Sequence, residues 1–327
     1  MRVLLGLIVL GCSETAPVPA APAPAPKAAA DLPQAGKSFT ALGMVRIPGG
    51  VVELGPRHAH RLPPKAGIGP PPKYVAKTPS EKPASAWYSR AGLGLDKRKA
   101  AVAPFLIDQT EVTQAAYAGF VEEGGYRPPH VSESWAEADW NWQGTRGRED
   151  RADHPVTLVS FYDAQAYCSW RGKRLPTEAE WQLAALGPAD AKRTYPWGGR
   201  YHGDRLNHGQ LDAPHTDHGD GYVWTAPVGQ FKEGRSAYGL DDMFGNAWEY
   251  TADLRIDDWA GARHEGFDSS GAMVNATAPG PGLRVAVRGG SFYFDFAPNP
   301  GGEWAAFVPE SRRKSAGFRC AADISAG

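Results

Sequence analysis

The sequence lacks an apolar run long enough to cross a membrane, and it lacks a strong net charge. No stretch approaches the about 20 consecutive apolar residues that a membrane-spanning helix requires. The formal net charge is −1, which argues against a general nucleic-acid coat, so we expect no nucleic-acid partner. There is also no Walker phosphate-binding loop and no Gly-x-Gly-x-x-Gly segment after a strand. The sequence therefore does not indicate a protein with a membrane-spanning helix, a nucleic-acid coat protein or a nucleotide-binding protein of these two types.

The composition is that of a folded protein with many turns. Apolar residues make up 42% and charged residues 22% of the 327 residues, which excludes disorder of the whole chain. The 39 glycines and 29 prolines predict many turns and little regular structure. The length allows one large domain or two ordinary ones. The mixture of helix and strand patterns along the chain predicts an α+β fold with unusually long loops.

The first twelve residues have the pattern of an export signal. A positive start, Met1-Arg2, precedes the apolar run 3–10, and the segment Val9-Leu10-Gly11-Cys12 resembles the lipobox of bacterial lipoproteins. We expect residues 1–11 to be a signal peptide, Cys12 to be lipidated, and residues 12–40, rich in Ala and Pro, to be a tether. The alternative is an ordinary cleaved signal peptide with an incidental cysteine. Ser13 after the cysteine favours lipid anchoring at the outer membrane of a bacterial cell envelope.

A basic segment interrupts the domain. Residues 56–100 contain ten Lys or Arg and eight prolines, but only Glu81 and Asp96 as acids. We interpret the segment as an insertion with few core residues. It is either a solvated loop, which we favour, or a contact to anionic lipid or cell-wall polymer.

Local patterns predict a hairpin and three helices. The hairpin would pair residues 45–47 with residues 51–54 across Pro48-Gly49-Gly50. Each helix has a capping Ser or Thr before an apolar face and a glycine at its end. The predicted helices run from Thr113 to Gly124, from Ser160 to Gly172, and from Thr177 to Gly187.

Three cysteines are present: Cys12, Cys168 and Cys320. If Cys12 carries lipid, an even pair remains, which in an oxidising compartment would most simply form one disulfide. A disulfide between Cys168 and Cys320 would close a loop of roughly 150 residues, which is worth about 4–5 kcal/mol of stability on the chain-entropy model. Two buried free thiols are the alternative.

Several long sequence blocks follow one another in a specific order. They lie at residues 44–50, 105–108, 111–113, 154–156, 167–181, 195–198, 239–250, 288–292 and 317–320. Together they resemble the formylglycine-generating enzyme (sulfatase-modifying factor) family. The resemblance implies a single compact, loop-rich α+β domain over residues 41–324, related to C-type lectin-like folds, with a disulfide between Cys168 and Cys320.

The resemblance also implies calcium. Asp242 and Glu249 stand seven positions apart across a tight Gly-Asn-Ala turn, and calcium accepts carboxylate and carbonyl oxygens. From spacing alone, a turn of solvated acids is the alternative at either of two sites. The implied ligands are Asn207, His208 (carbonyl), Asp220 and Tyr222 (carbonyl) for one structural Ca²⁺, called the 207 set, and Asp242, Gly245 (carbonyl), Ala247 (carbonyl) and Glu249 for another, called the second set.

Oxidase chemistry is not expected. The family's enzyme holds copper between two cysteine thiolates, and Cu(I) requires such soft ligands. The matching positions here are Phe294 and Asn299, so copper is not expected and no catalytic residue is assigned. Two residues that line the family's active pocket, Trp248 and Ser291, are retained. The candidate ligand-pocket residues are Trp248, Ser291, Phe294, Asn299 and Trp304.

Two functions remain open. The first is an envelope lipoprotein that acts as a calcium-stabilised binding or assembly module for an unidentified envelope protein, peptide or glycan. The second is a formylglycine-generating-type oxidoreductase with an unconventional metal site. Trp135, Trp140 and Trp142 could form a stacking surface for sugar or peptide, or simply pack their loop.

Overall fold

The computed structural model describes residues 43–54, 98–131, 140–209, 219–257, 263–267, 273–277, 282–293 and 304–324. Several predictions lie outside these residues: the signal peptide, the tether, Cys12, most of the basic insertion, Phe294 and Asn299. Within the described ranges, every helix is too short or too polar to cross a membrane.

The three predicted helices are confirmed. Thr113 Oγ1 accepts a hydrogen bond from Ala116 N, and Ser160 and Thr177 each complete a capping box with the acid three positions later. These side chains satisfy backbone N–H groups that have no partner inside the helix, which explains why the helices begin there. The helices are α1 (Gln114–Gly124), α2 (Phe161–Trp170) and α3 (Glu178–Leu186), with short 3₁₀ turns at Glu149–Arg151, Ala189–Ala191, Gly203–Arg205 and Lys232–Gly234.

Eleven short strands form four small sheets in the described residues. Their orders are β1-β4-β11, β10-β5-β8-β9, β2-β3 and β6-β7, and all pairings are antiparallel except that of β10 with β5. The strands are β1 (Met44–Ile47), β2 (Gly50–Leu54), β3 (Arg98–Val102), β4 (Phe105–Asp108), β5 (Trp248–Asp257), β6 (Arg263–Phe267), β7 (Met273–Thr277), β8 (Gly282–Arg288), β9 (Trp304–Phe307), β10 (Ala316–Gly317) and β11 (Ala321–Asp323).

The predicted hairpin between residues 45–47 and 51–54 is wrong. Strand β1 pairs with β4, which follows the basic segment, and β2 pairs with β3, which begins at Arg98 inside it. The predicted insertion 56–100 is therefore too long, because residues 98–100 belong to the sheet. Gly49 has φ of 85°, and a Cβ at this position would lie 2.7 Å from the carbonyl oxygen of Val102. The glycine turn therefore passes the chain from one sheet to the next instead of folding it back.

Two apolar cores hold the domain together. One packs α1 and α2 against β5 and β8, and Tyr117, Phe120 and Tyr167 meet there edge-to-face or stacked. The other surrounds the fully buried Trp181 of α3. The predicted disulfide is confirmed: Cys168 in α2 is bonded to Cys320, with their Cα atoms 5.6 Å apart. The result is a mixed, loop-rich α+β domain, as expected.

Candidate metal and ligand site

The turn that precedes β5 has an unusual backbone. Asp242, Gly245 and Asn246 have φ of 54°, 87° and 57°, in the left-handed region that Gly, Asn and Asp tolerate best. The turn therefore needs these residue types. It brings the Asp242 side of the turn close to Glu249, since Arg319 Nη2 donates both to Asp241 O at 2.9 Å and to Glu249 Oε1 at 2.7 Å.

The 207 loop packs directly on this turn. Asn246 N donates to Asn207 O at 3.0 Å, and Asn207 Nδ2 donates to Asn246 Oδ1 at 3.2 Å. A Cβ on Gly245 would overlap the carbonyl oxygen of Asn207. The two predicted ligand sets, distant in sequence, are thus adjacent in the fold.

The structure brings the ligands of the 207 set together. Asp220 accepts hydrogen bonds from His208 N at 2.7 Å and Tyr222 N at 2.8 Å, one on each carboxylate oxygen. Asn207 Oδ1 is buried and accepts no hydrogen bond, which normally costs a buried polar atom about 1–3 kcal/mol. An orphaned amide oxygen beside a carboxylate is the hard oxygen chemistry that calcium prefers, so these residues fit the ion.

In the second set, Glu249 already makes strong contacts. Its oxygens accept hydrogen bonds from Arg319 Nη2 and Nε, each at 2.7 Å, and from Trp181 Nε1 at 2.7 Å. Asp242 Oδ2 accepts a hydrogen bond from Gly229 N at 2.5 Å. A carboxylate has about four lone-pair sites, so both residues retain capacity for a cation.

Buried acidic groups outnumber the single guanidinium of Arg319. Burial, together with the charges of Asp242 and Glu249, raises the pKa of Glu111 well above its usual value. Burial also raises the pKa of Asp242 to about 6. These carboxyl groups therefore lack a full complement of positive charge, and a bound divalent cation would favour their ionised forms. The second set therefore also fits calcium.

Each of the two predicted calcium sets combines side-chain oxygens with backbone carbonyl oxygens. Among the residues that the structure describes, no three His, Cys, Asp or Glu side chains converge as metal ligands. Each predicted set instead combines two side chains with two backbone carbonyls. Amide and carbonyl donors suit calcium and are poor ligands for zinc or copper.

Two of the predicted pocket residues, Trp248 and Ser291, flank the same turn. Phe292 N, next to Ser291, donates to Asn246 O at 3.0 Å, and Trp248 follows Asn246 by two positions. Ser291 is buried, while the partly buried Trp248 packs edge-to-face on Phe307 with the ring centroids 6.1 Å apart. Trp304 begins β9. Trp248 and Ser291 thus lie on two segments that are hydrogen-bonded to each other at Asn246.

Few cysteine thiols are available to bind copper. The chain has three cysteines, and two of them form the disulfide. Residues 294 and 299, which lie outside the described residues, are Phe and Asn in the sequence. This donor set does not fit a copper ion held by two thiolates.

A cluster that the sequence analysis missed surrounds Lys314, which is 4% exposed. Its Nζ lies 4.2 Å from the ring centroid of Trp224, 5.3 Å from that of Tyr293 and 5.5 Å from that of Trp140. The cation–π contacts stabilise the ammonium group there. No local pattern predicts this cluster, because its members are far apart in sequence.

The structure describes two of the three tryptophans of the 135–142 segment. Trp142 is 7% exposed and contacts Tyr117 edge-to-face with the centroids 5.9 Å apart, so it packs in the core. Trp140 contacts Trp224 in the Lys314 cluster. Trp135 lies outside the described residues.

Glu111 and Arg319 are two further residues that sequence reasoning did not single out. Arg319 stands between Phe318 and Cys320, and a charge inside such an apolar run is the available signal, since charged residues are seldom fully buried unless they are paired. Glu111 has polar Thr110 on one side and Val112 on the other, so no comparable signal marks it.

Comparisons with known proteins agree with this architecture. Residues 28–324 match the family described as the sulfatase-modifying factor enzyme 1-like domain. A formylglycine-generating enzyme of Thermomonospora curvata is 33% identical, over 90% of this chain and 97% of the relative. The protein named inactive C-alpha-formylglycine-generating enzyme 2 of Bos taurus is 31% identical, over 68% of this chain and 79% of the relative.

A solved structure shows a similar fold. PvdO from Pseudomonas aeruginosa covers 86% of this chain and 94% of its own, with a TM-score of 0.54 and 20% identity. The blocks of sequence, the disulfide and these matches lead to one assignment. The chain belongs to the sulfatase-modifying factor enzyme 1-like domain family.

Proposed function

We propose that this protein is an envelope-anchored, calcium-stabilised binding module of its family, in which the copper oxidase chemistry has been lost. One observation carries the proposal. Cys168 and Cys320 are bonded to each other, and the positions where the family's enzyme holds copper are Phe294 and Asn299. An oxidase that depends on Cu(I) cannot replace two thiolates by a phenyl ring and an amide.

The relatives include both an enzyme and a protein that is named inactive. A formylglycine-generating enzyme and a protein named as its inactive counterpart are 33% and 31% identical to this chain. Overall identity therefore does not separate the two classes. The distinction rests on the reacting residues, because a fold can persist after its chemistry is lost.

Binding would take place beside Trp248 and Ser291. Both residues adjoin the turn around Asn246, which the surrounding hydrogen bonds hold in place. An aromatic side chain that is only partly buried offers a stacking face for a peptide or sugar. We propose an envelope protein, peptide or glycan as the partner.

Calcium would hold the long loops of this module. In the 207 set, Asn207 Oδ1 and Asp220 would bind one ion with the carbonyls of His208 and Tyr222. In the second set, Asp242 and Glu249 would bind another with the carbonyls of Gly245 and Ala247. Each ion would stabilise its loop by joining side-chain and backbone oxygens from separate positions.

Anchoring would come from the N-terminus. Acylation of Cys12 and a tether over residues 12–40 would keep the domain at a bacterial outer membrane. This part of the proposal rests on the sequence, and it makes local concentration at the envelope part of the function.

The oxidase question has a direct test. The purified protein is incubated with copper, oxygen, a thiol reductant that supplies the two further electrons needed to reduce oxygen to water, and a Cys-x-Pro-x-Arg peptide. The peptide is followed by mass spectrometry. The formylglycine-generating enzyme of Thermomonospora curvata serves as the active control. We expect the peptide thiol to stay unchanged with this protein and to become an aldehyde with the control. Conversion by this protein would overturn the proposal in favour of an oxidoreductase with an unconventional metal site.

Binding is tested separately by site-specific photocrosslinking in envelope preparations. The crosslinking residue replaces Val308, which is 36% exposed, or Ile324, a control that is 38% exposed. We expect a defined adduct at position 308 only, and we expect Trp248→Ala to abolish it. An adduct that persists in Trp248→Ala, or equal labelling at both positions, contradicts a ligand site beside Trp248.

A further inference from the structure

Asn246 lies between the two predicted calcium sites, and its side chain is hydrogen-bonded on both sides. Its Oδ1 accepts from Asn207 Nδ2 at 3.2 Å and from Ala226 N at 2.8 Å. Its Nδ2 donates to Glu111 Oε2 at 2.8 Å and to Ala226 O at 3.4 Å. The side chain is 1% exposed, so water does not replace these bonds.

On one side, Asn246 orients a ligand of the 207 set. Asn207 Nδ2 donates to Trp224 O at 2.7 Å as well as to Asn246 Oδ1. These bonds fix which end of the amide is the nitrogen, and they leave Asn207 Oδ1 as the buried oxygen without a hydrogen bond. The backbone bond from Asn246 N to Asn207 O adds a second tie.

On the other side, Asn246 stands between two ligands of the second set. Gly245 and Ala247, whose carbonyls would bind calcium, are its neighbours in sequence. Glu111 holds this segment with both oxygens, because Oε1 accepts from Ala247 N at 3.1 Å while Oε2 accepts from Asn246 Nδ2. A shift of the turn would therefore change the positions of ligands in both sets.

We propose that Asn246 and Glu111 couple the two calcium sites, so that the ions bind cooperatively. This inference rests on the calcium binding in the proposed function. The first ion orders the shared network, and the second ion then binds a network that is already ordered. Asn246 and Glu111 act as positioning residues, since neither is a predicted ligand. Coupling between sites commonly changes affinity by about 5-fold to 150-fold.

The experiment is a double-mutant cycle on the full chain, read by calorimetric titration with calcium after chelation. Asp220→Asn weakens the 207 site, and Asn246→Gly removes the coupling side chain. Glycine suits the φ of 57° at position 246, so this variant adds no backbone strain. The measured quantity is calcium affinity at the second site in the wild type, in both single variants and in the double variant.

We expect Asp220→Asn to lower the affinity of the second site by about 5-fold or more. In the Asn246→Gly background, the same substitution should leave that affinity nearly unchanged. If Asn246 were merely structural, its loss would lower both affinities and leave the effect of Asp220→Asn intact. That result overturns the proposal.

Two further outcomes are informative. If Asn246→Gly fails to fold, as judged by circular dichroism, Glu111→Gln replaces it in the cycle and is expected to give the same loss of coupling. If the calcium affinity of the second site is the same in the wild type and in Asp220→Asn, that comparison alone contradicts coupling. Two independent calcium ions would refute the coupling but leave the proposed function standing, whereas a flat titration of the wild type would refute its calcium component.

Discussion

Arg319 and Glu249 form an ion pair in the interior, with Nη2 to Oε1 and Nε to Oε2 distances of 2.7 Å each. Their side chains are 0% and 1% exposed. The remaining guanidinium bonds reach the backbone oxygens of Asp108, Gln109 and Asp241. One side chain thus joins β4, the loop after it and the turn before β5, all of which border the second calcium set.

Replacing Arg319 by Met should therefore be strongly destabilising. Removing one partner leaves the Glu249 carboxylate buried without its cation, and such changes cost about 3–5 kcal/mol. Urea denaturation followed by fluorescence measures the free energy of unfolding. Arg148→Met, at an exposed pair with Asp150, is the control and should leave the midpoint unchanged. Equal effects of the two substitutions would contradict a special role for the buried pair.

The disulfide should contribute measurably to stability. Cys168→Ser with Cys320→Ser removes a cross-link between residues 152 positions apart, and losing a native disulfide typically costs about 2–5 kcal/mol. Thermal unfolding of the oxidised wild type, the reduced wild type and the double variant provides the measurement. The reduced wild type should resemble the double variant. A double variant as stable as the oxidised protein would refute this prediction.

Gly245 should tolerate no side chain. Gly245→Ala combines strain at φ of 87° with overlap on the carbonyl oxygen of Asn207. Gly239 has a similar φ of 84° but open space at its Cβ position, so Gly239→Ala is a matched control that reports the strain alone, about 1–2 kcal/mol. We expect the larger loss of stability, measured by urea denaturation, for Gly245→Ala. Equal losses would show that contact with Asn207 is unimportant.

Calcium removal should lower the melting temperature. A ligand present at 100 times its dissociation constant stabilises the folded state by about 2.7 kcal/mol. We expect a chelator to lower the melting temperature of the wild type and calcium to restore it. Asp220→Asn should show a smaller shift, whereas Asp204→Asn, an exposed acid near the same loop, should behave as the wild type. Identical shifts in both variants would place the ion elsewhere.

Cys12 should carry lipid in the cell. We expect radiolabelled or alkyne-tagged fatty acid to enter the full-length protein and to be absent from Cys12→Ala, because acyl chains attach at that thiol and anchor the protein. Gel fluorography of membrane fractions provides the measurement. Labelling that survives in Cys12→Ala, or a wild type without label, would support an ordinary cleaved signal peptide.

Local sequence patterns were sufficient for the helices and failed for the first strands. Thr113, Ser160 and Thr177 predict the helix starts because a cap acts within one turn of its own residue. The strands within residues 44–54 pair with residues 98–108, more than 40 positions later in the chain, so the nearest local pattern suggested the wrong hairpin. The family resemblance identified the cysteine pair that is bonded, since it includes information about distant contacts.

The amino-acid sequence by itself determined the helix caps and the number of cysteine thiols available to a metal. Its ordered sequence blocks also indicated the family to which the chain belongs. Tertiary structure decided which charges are buried together: Glu111, Asp242, Glu249 and Arg319 come from distant parts of the chain, and only packing brings them out of water. It also decided that Asn246 contacts both ligand sets. The physical reason is that capping acts over one turn of helix, whereas burial and charge balance depend on contacts between segments far apart in sequence.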